Sequence, residues 1–209
     1  MNSEIDIGEV FSELKKLGVG KEDVVSIYLF GSRYWGYAKE DSDFDLYVVL
    51  RNKISLDQKD VGLISFRYIS TESETCEAIE KGSWARYYVL KFASKLIYGE
   101  SIKLPEYPRN KFSDYLKAKR VDVEKIVESP LKWGYLTLMA RVFYVNYYFD
   151  RIERFDLKSF KDCTFLTDSE KKFILGLYEK LFGYKLATMA EKQEIVRIVN
   201  KIEAELLGN

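Results

Sequence analysis

Apolar residues recur over the first seventeen positions at three-to-four-residue intervals: Ile7, Val10, Phe11, Leu14 and Leu17. That spacing puts them on one side of a helix, and Gly18 follows as a stop. The period then changes. Residues 24–30 (VVSIYLF) form a β-branched and aromatic run of strand length, broken by Gly31-Ser32. A second such run, 44–50, follows the acidic cluster DSDFD, and a third, 61–69, begins just after Asp60. From Thr71 helical spacing returns, predicting helices over 73–81 and 84–93 on either side of Gly82, while 96–100 (LIYGE) reads as a short edge strand.

LPEYP, with Pro105 and Pro108, is the natural linker. Beyond it the pattern predicts helices over 111–127, 130–154, 168–182 and 187–207. Ser129 and Pro130 suit the cap and first turn of the second. The expected architecture is α/β (α+β): a small mixed-sheet lobe over 1–104, then an all-helical C-terminal lobe over 109–209.

Composition narrows the chemistry. The chain has 209 residues and no histidine. That removes the usual neutral-pH acid/base, the usual transition-metal ligand and histidine-dependent triads. Its two cysteines, Cys76 and Cys163, make neither a disulfide framework nor a zinc site. Carboxylates, hydroxyls, amines and hard cations are left to carry any reaction. No apolar run approaches the roughly 20 residues that cross a bilayer. The acidic, amphipathic start does not resemble a signal peptide, so a cytoplasmic location is expected and no membrane partner. Net charge is zero, yet residues 1–108 hold 14 Lys/Arg against 18 Asp/Glu, and residues 109–209 hold 19 against 15. An acidic front half and a basic back half suit a metal site facing a surface that attracts phosphate. Two solvated surfaces of unequal composition account for the charge equally well.

The candidate chemistry lies in LFGSRYWGYAKEDSDFDLYVVL. A strand ends at Gly31-Ser32, a ten-residue connection follows, and Asp43 and Asp45 then alternate with Phe44 and Leu46. Residues two apart on a strand share a face, so the two carboxylates are expected to project together. At about 4 Å and an effective dielectric near 20 their repulsion costs roughly 4 kcal/mol. A divalent cation cancels it, and Mg²⁺ favours carboxylates together with substrate phosphates. Gly31 permits a tight turn and close backbone approach, Ser32 adds a hydroxyl, and a helix starting there would aim free N–H groups at an anion. Arg33 and Lys39 are candidates for neutralising phosphate charge, or are ordinary exposed cations.

The string GSRYWGYAKEDSDFDLYVV, with its G-S, ten residues and D-x-D, resembles the signature of the DNA polymerase β-like nucleotidyltransferase superfamily, and in particular its stand-alone prokaryotic members. The resemblance covers roughly residues 20–100. It implies transfer of a nucleoside monophosphate from an NTP, ATP foremost, to an acceptor hydroxyl with release of pyrophosphate. It implies two Mg²⁺ ions (or Mn²⁺) on Asp43 and Asp45, with Gly31 and Ser32 at the phosphates, where the charge of Arg33 makes it a further candidate. A third carboxylate on the next strand then completes the metal site and helps deprotonate the acceptor. Asp60 is the candidate, with Asp57, Glu72 and Glu74 as alternatives.

Other readings of the same residues were weighed. A calcium loop starting at Asp41 fails, because its sixth and twelfth positions are Leu46 and Asn52 instead of Gly and Glu. Trp35 and Tyr37 either stack on a base or pack the turn. The aromatic segment 134–149 reads as core, and Lys117, Lys119 and Arg120 as a solvated face or a polynucleotide contact. The acceptor stays open among small molecule, protein and RNA. Two further functions stand beside the enzyme: an antitoxin-like adenylyltransferase acting on a partner toxin, and a catalytically silent nucleotide-binding module.

Overall fold

A computed structural model describes residues 5–35, 38, 40–54, 60–108, 111, 166–182 and 188–207. The chain divides into two compact units, Met1–Lys111 and Phe112–Asn209.

The first unit opens with helix α1, Ile7–Lys16, which buries Val10 and Leu14. The Asp6 carboxylate caps its start by accepting from the Gly8 N–H at 2.8 Å, and Lys15 and Lys16 face the negative end of its dipole. Gly18 then turns the chain at φ +80°. Strand β1, Val24–Phe30, runs to a five-residue helix α2, Gly31–Trp35, and the chain returns as β2, Phe44–Leu50. β3, Asp60–Val61, and β4, Ile64–Thr71, follow. Next come helices α3, Glu72–Glu80, and α4, Trp84–Phe92, and then β5, Ser94–Gly99.

The five strands form one sheet in the order β3-β4-β2-β1-β5. β2 is central, antiparallel to β1 and parallel to β4, with β5 at one edge and the two-residue β3 at the other. Alternation along β2 explains the two cores. Leu46, Val48 and Leu50 pack with Ile27, Ile64 and Phe66 against Val10 and Leu14 of α1. Tyr47 and Val49 face the other way, with Tyr28, Ile102 and Val89 of α4. Both sheet faces are covered, so the central strands read as nearly unbroken apolar runs.

One expected strand divides. Residues 61–69 do not form a single run: Gly62 at φ +59° and Leu63 turn the chain, and Val61 pairs with Ile64 across a two-residue hairpin. β4 therefore starts later than the apolar run suggests. Asp60 lies on the far arm of the hairpin, not at the head of the strand beside β2.

In the second unit, helices α5, Asp168–Phe182, and α6, Met189–Leu207, start at Thr167 and Thr188, each paired reciprocally with a glutamate three residues on. Ile174 and Leu177 of α5 and Ile195, Ile198 and Val199 of α6 are buried. The helices expected over 111–127 and 130–154, the aromatic segment 134–149 and the basic residues Lys117, Lys119 and Arg120 lie outside the described residues.

Candidate nucleotide site

The antiparallel pairing of β1 and β2 sets Phe30, the last residue of β1, opposite Asp45 near the start of β2. A turn leaving β1 at Gly31 therefore begins beside the Asp45 carboxylate. Gly31 sits at φ +71°, and a Cβ there would lie 2.0 Å from Asp45 Oδ2. The close backbone approach that the glycine permits is thus, first of all, an approach to Asp45 itself.

Asp43 and Asp45 do project together. Both carboxylates accept from one guanidinium: Arg67 Nη2 donates to Asp43 Oδ2 at 3.0 Å, and Arg67 Nε to Asp45 Oδ1 at 2.8 Å. Side-chain exposure is 17 % for Asp45, 40 % for Asp43 and 48 % for Arg67, so the cluster is anchored at Asp45 and opens to solvent from there. Two carboxylates that share one guanidinium are close enough to share one metal ion. An all-oxygen donor pair at a site with substrate phosphates is what Mg²⁺ takes. Asp43 and Asp45 therefore fit the ion that the motif implies. Among the described residues no group of three or more His, Cys, Asp or Glu side chains comes together.

Arg33 is already engaged. Its guanidinium donates to the Ser42 carbonyl (Nε 3.2 Å, Nη2 2.6 Å) and to the Glu40 carbonyl (3.1 Å), and it lies 4.3 Å above the Phe44 ring. These bonds tie α2 to the segment leading into β2, and so fix the turn against the DxD strand. Ser32 is half-buried on α2, next to Gly31. Lys39 and the side chains of Trp35 and Tyr37 lie outside the described residues.

The third-carboxylate candidates separate by register. Asp60 pairs with Ser65, and Ser65 pairs on its other side with Asp45. The backbones of Asp60 and Asp45 are therefore two strand spacings apart, roughly 10 Å. Glu72 and Glu74 follow Thr71, which pairs with Leu50 at the far end of β2, roughly 16 Å along the strand from Asp45. Glu74 there closes the capping box of α3 with Thr71, and a hydrogen bond from Lys53 helps hold its carboxyl below the usual range. Glu72 accepts from the Lys103 N–H. Neither glutamate belongs to the site, because parallel pairing of β2 and β4 sends the two strand ends apart. Asp57 lies outside the described residues.

Two features were not anticipated. One is Arg67; SFRYIS shows it only as a cation inside an apolar strand. The other is a buried hydroxyl cluster behind the site. Tyr47 Oη, Ser70 Oγ and Thr75 Oγ1 lie 2.9–3.2 Å from one another, and Arg86 Nη1 donates to Tyr47 at 3.3 Å and Ser70 at 3.2 Å. The Tyr68 ring stacks on Tyr47 at 4.9 Å, and Arg86 lies 5.5 Å above it. Burial pushes the Tyr68 phenol up, with Arg86 pulling the other way. The cluster ties β2 and β4 to α3 and α4, and so steadies the two strands that carry Asp45 and Arg67.

A mixed sheet with a glycine turn set against paired aspartates, one on its central strand and one just before it, is the frame of a nucleotidyltransferase domain. Residues 12–75, from α1 into α3, match the family model for polymerase beta, nucleotidyltransferase, and this part of the chain is a nucleotidyltransferase domain of the polymerase β-like kind. Among solved structures the chain is similar to spectinomycin adenyltransferase from Enterococcus faecialis, determined with ATP and spectinomycin. The likeness has a TM-score of 0.55 at 13% identity, and covers 94% of this chain and 99% of that one. No curated protein matches the sequence.

Proposed function

We propose that the protein moves a nucleoside monophosphate from ATP to a hydroxyl of a small-molecule acceptor and releases pyrophosphate, with Mg²⁺ held by Asp43 and Asp45. The observation that carries this reading is the convergence of both carboxylates beside Gly31, at the end of a nucleotidyltransferase β1–β2 pair. Bound Mg²⁺ supplies Lewis-acid polarisation of the phosphoryl oxygens, and Mn²⁺ serves in its place. The chain's own residues do the rest. Gly31 and Ser32 receive the phosphates, and Arg33 keeps their turn docked on β2. Asp60, in the Ser65 row, accepts the proton of the acceptor hydroxyl and is the foremost candidate to help hold a second ion, with Asp57 as the alternative. A small acceptor is favoured by likeness to an adenyltransferase determined with ATP and a small molecule, and a net charge of zero gives no footprint for a polynucleotide.

The test is label transfer from α-labelled NTPs to aminocyclitol and aminoglycoside acceptors, to protein and to RNA, with wild type and Asp60→Asn. Label is expected on a small hydroxylated acceptor from ATP, with transfer at least 100-fold slower in Asp60→Asn and Mn²⁺ binding at Asp43 and Asp45 retained. Label on a co-purifying protein instead supports the antitoxin-like reading. A silent nucleotide-binding module is favoured by one observation, the arginine between the two aspartates. Tight nucleotide binding with no label on any acceptor would establish it.

A further inference from the structure

Resting on this metal–nucleotide reading, we propose that Arg67 is a built-in counter-ion that changes partners. It holds Asp43 and Asp45 before nucleotide arrives, yields them to the metal, and passes its guanidinium to the NTP phosphates.

The strand next to the DxD strand offers a cation where a third carboxylate was expected. On β4, Ser65 pairs with Asp45, and Arg67, two residues on, reaches both aspartates. The β2–β4 register shifts at this point: Leu46 pairs with Phe66 and Tyr47 with Tyr68, which leaves Arg67 as the extra residue of a bulge. A bulge bends its strand locally and re-aims the side chain of the extra residue. Phe66 is buried against the α1 side of the sheet and Tyr68 is stacked on Tyr47, so the backbone is held while the Arg67 side chain, half exposed, is able to swing.

The charges favour an exchange. Arg67 takes one oxygen of each aspartate, and a divalent ion held on the same two carboxylates would face the guanidinium at close range, where the two cations repel. A triphosphate arriving with the metal brings oxygens that match the fork of an arginine, beside the Gly31-Ser32 turn. Bonds between half-exposed partners are weak enough to give up. Metal and nucleotide are therefore expected to bind cooperatively, each assisting the other by the same factor. Free metal alone meets two carboxylates whose charge one guanidinium already half offsets.

The experiment uses the full chain, Mn²⁺ as the metal probe followed by electron paramagnetic resonance, and α,β-methylene ATP as the nucleotide. Without nucleotide, Arg67→Met is expected to bind Mn²⁺ about tenfold tighter than wild type, the equivalent of removing about 1.4 kcal/mol of competition. At saturating Mn²⁺ the same variant is expected to bind the nucleotide about tenfold more weakly. Arg67→Lys, which keeps the charge and loses the fork, should hold Mn²⁺ near the wild-type affinity, and it guards against a folding defect in the methionine variant. Wild type that binds Mn²⁺ with Arg67→Met unchanged in either affinity overturns the exchange and leaves the metal site standing. No Mn²⁺ bound by wild type or variant, with or without nucleotide, overturns both.

Discussion

Gly31 and Asp45 are fourteen positions apart in the chain and in contact across a strand pair. At φ +71° an alanine costs about 1–2 kcal/mol in backbone strain alone. Its Cβ would also displace the carboxylate that it meets at 2.0 Å. Gly31→Ala is therefore expected to lower stability by about 1–2 kcal/mol in urea melts and to slow pyrophosphate release at least about tenfold. A variant that melts and turns over like wild type would show that the turn tolerates a side chain. The glycine was legible as a required glycine, but what it makes room for was not, because the pairing of Phe30 with Asp45 is a tertiary fact. Arg33 shows the same limit. Its charge suggested phosphate, and its bonds to the carbonyls of Glu40 and Ser42 and its place over the Phe44 ring arise only once the connection folds back.

At the scale of elements, β1 and β2 were legible to the residue. Each is a run of strand length between clear breakers, and both of its faces are buried. The hairpin at Gly62-Leu63 was not, because Val61, Leu63 and Ile64 read as one apolar stretch and a two-residue turn leaves little trace within it. That hairpin is what removes Asp60 from the strand beside β2. In the second unit, α5 and α6 are joined through Glu170, which is 3 % exposed and accepts from Arg197 Nη2 and Lys201 Nζ of α6, each at 2.8 Å. Burial alone would raise its pKa, but the bonds from Lys201, the Thr167 N–H and Arg197 outweigh burial and hold it at about 2, against an ordinary 4.5. The folded value lies below the unfolded one. The contribution is therefore complete above about pH 4.5 and lost as pH falls towards 2. Glu170→Gln is expected to cost on the order of 2 kcal/mol at neutral pH, discounted for its half-exposed partners, and to flatten the pH dependence in that window. Hydrogen exchange of the α5 and α6 amides between pH 2 and 5 checks this. Equal pH slopes for variant and wild type would remove Glu170 from that role.

For the whole molecule, the division of charge is legible in the sequence: residues 1–108 are acidic and residues 109–209 are basic. Among the described residues no helix is long and apolar enough to cross a membrane. The missing histidine leaves oxygen-bearing side chains to carry the chemistry, and Asp45 lies on β2 with Asp43 just before it. What no periodicity carries is the partner of those aspartates, because Arg67 reaches them through the β2–β4 pairing and a bulge. The central claim is nucleotidyl transfer dependent on a metal at Asp43 and Asp45. Its most direct test is pyrophosphate release from ATP, in the presence of an acceptor, titrated with Mg²⁺ for wild type, Asp43→Asn and Asp45→Asn. Release that requires Mg²⁺ in wild type and falls at least about 100-fold in both variants is the predicted result. Release that proceeds without Mg²⁺, or survives in both variants, would contradict it.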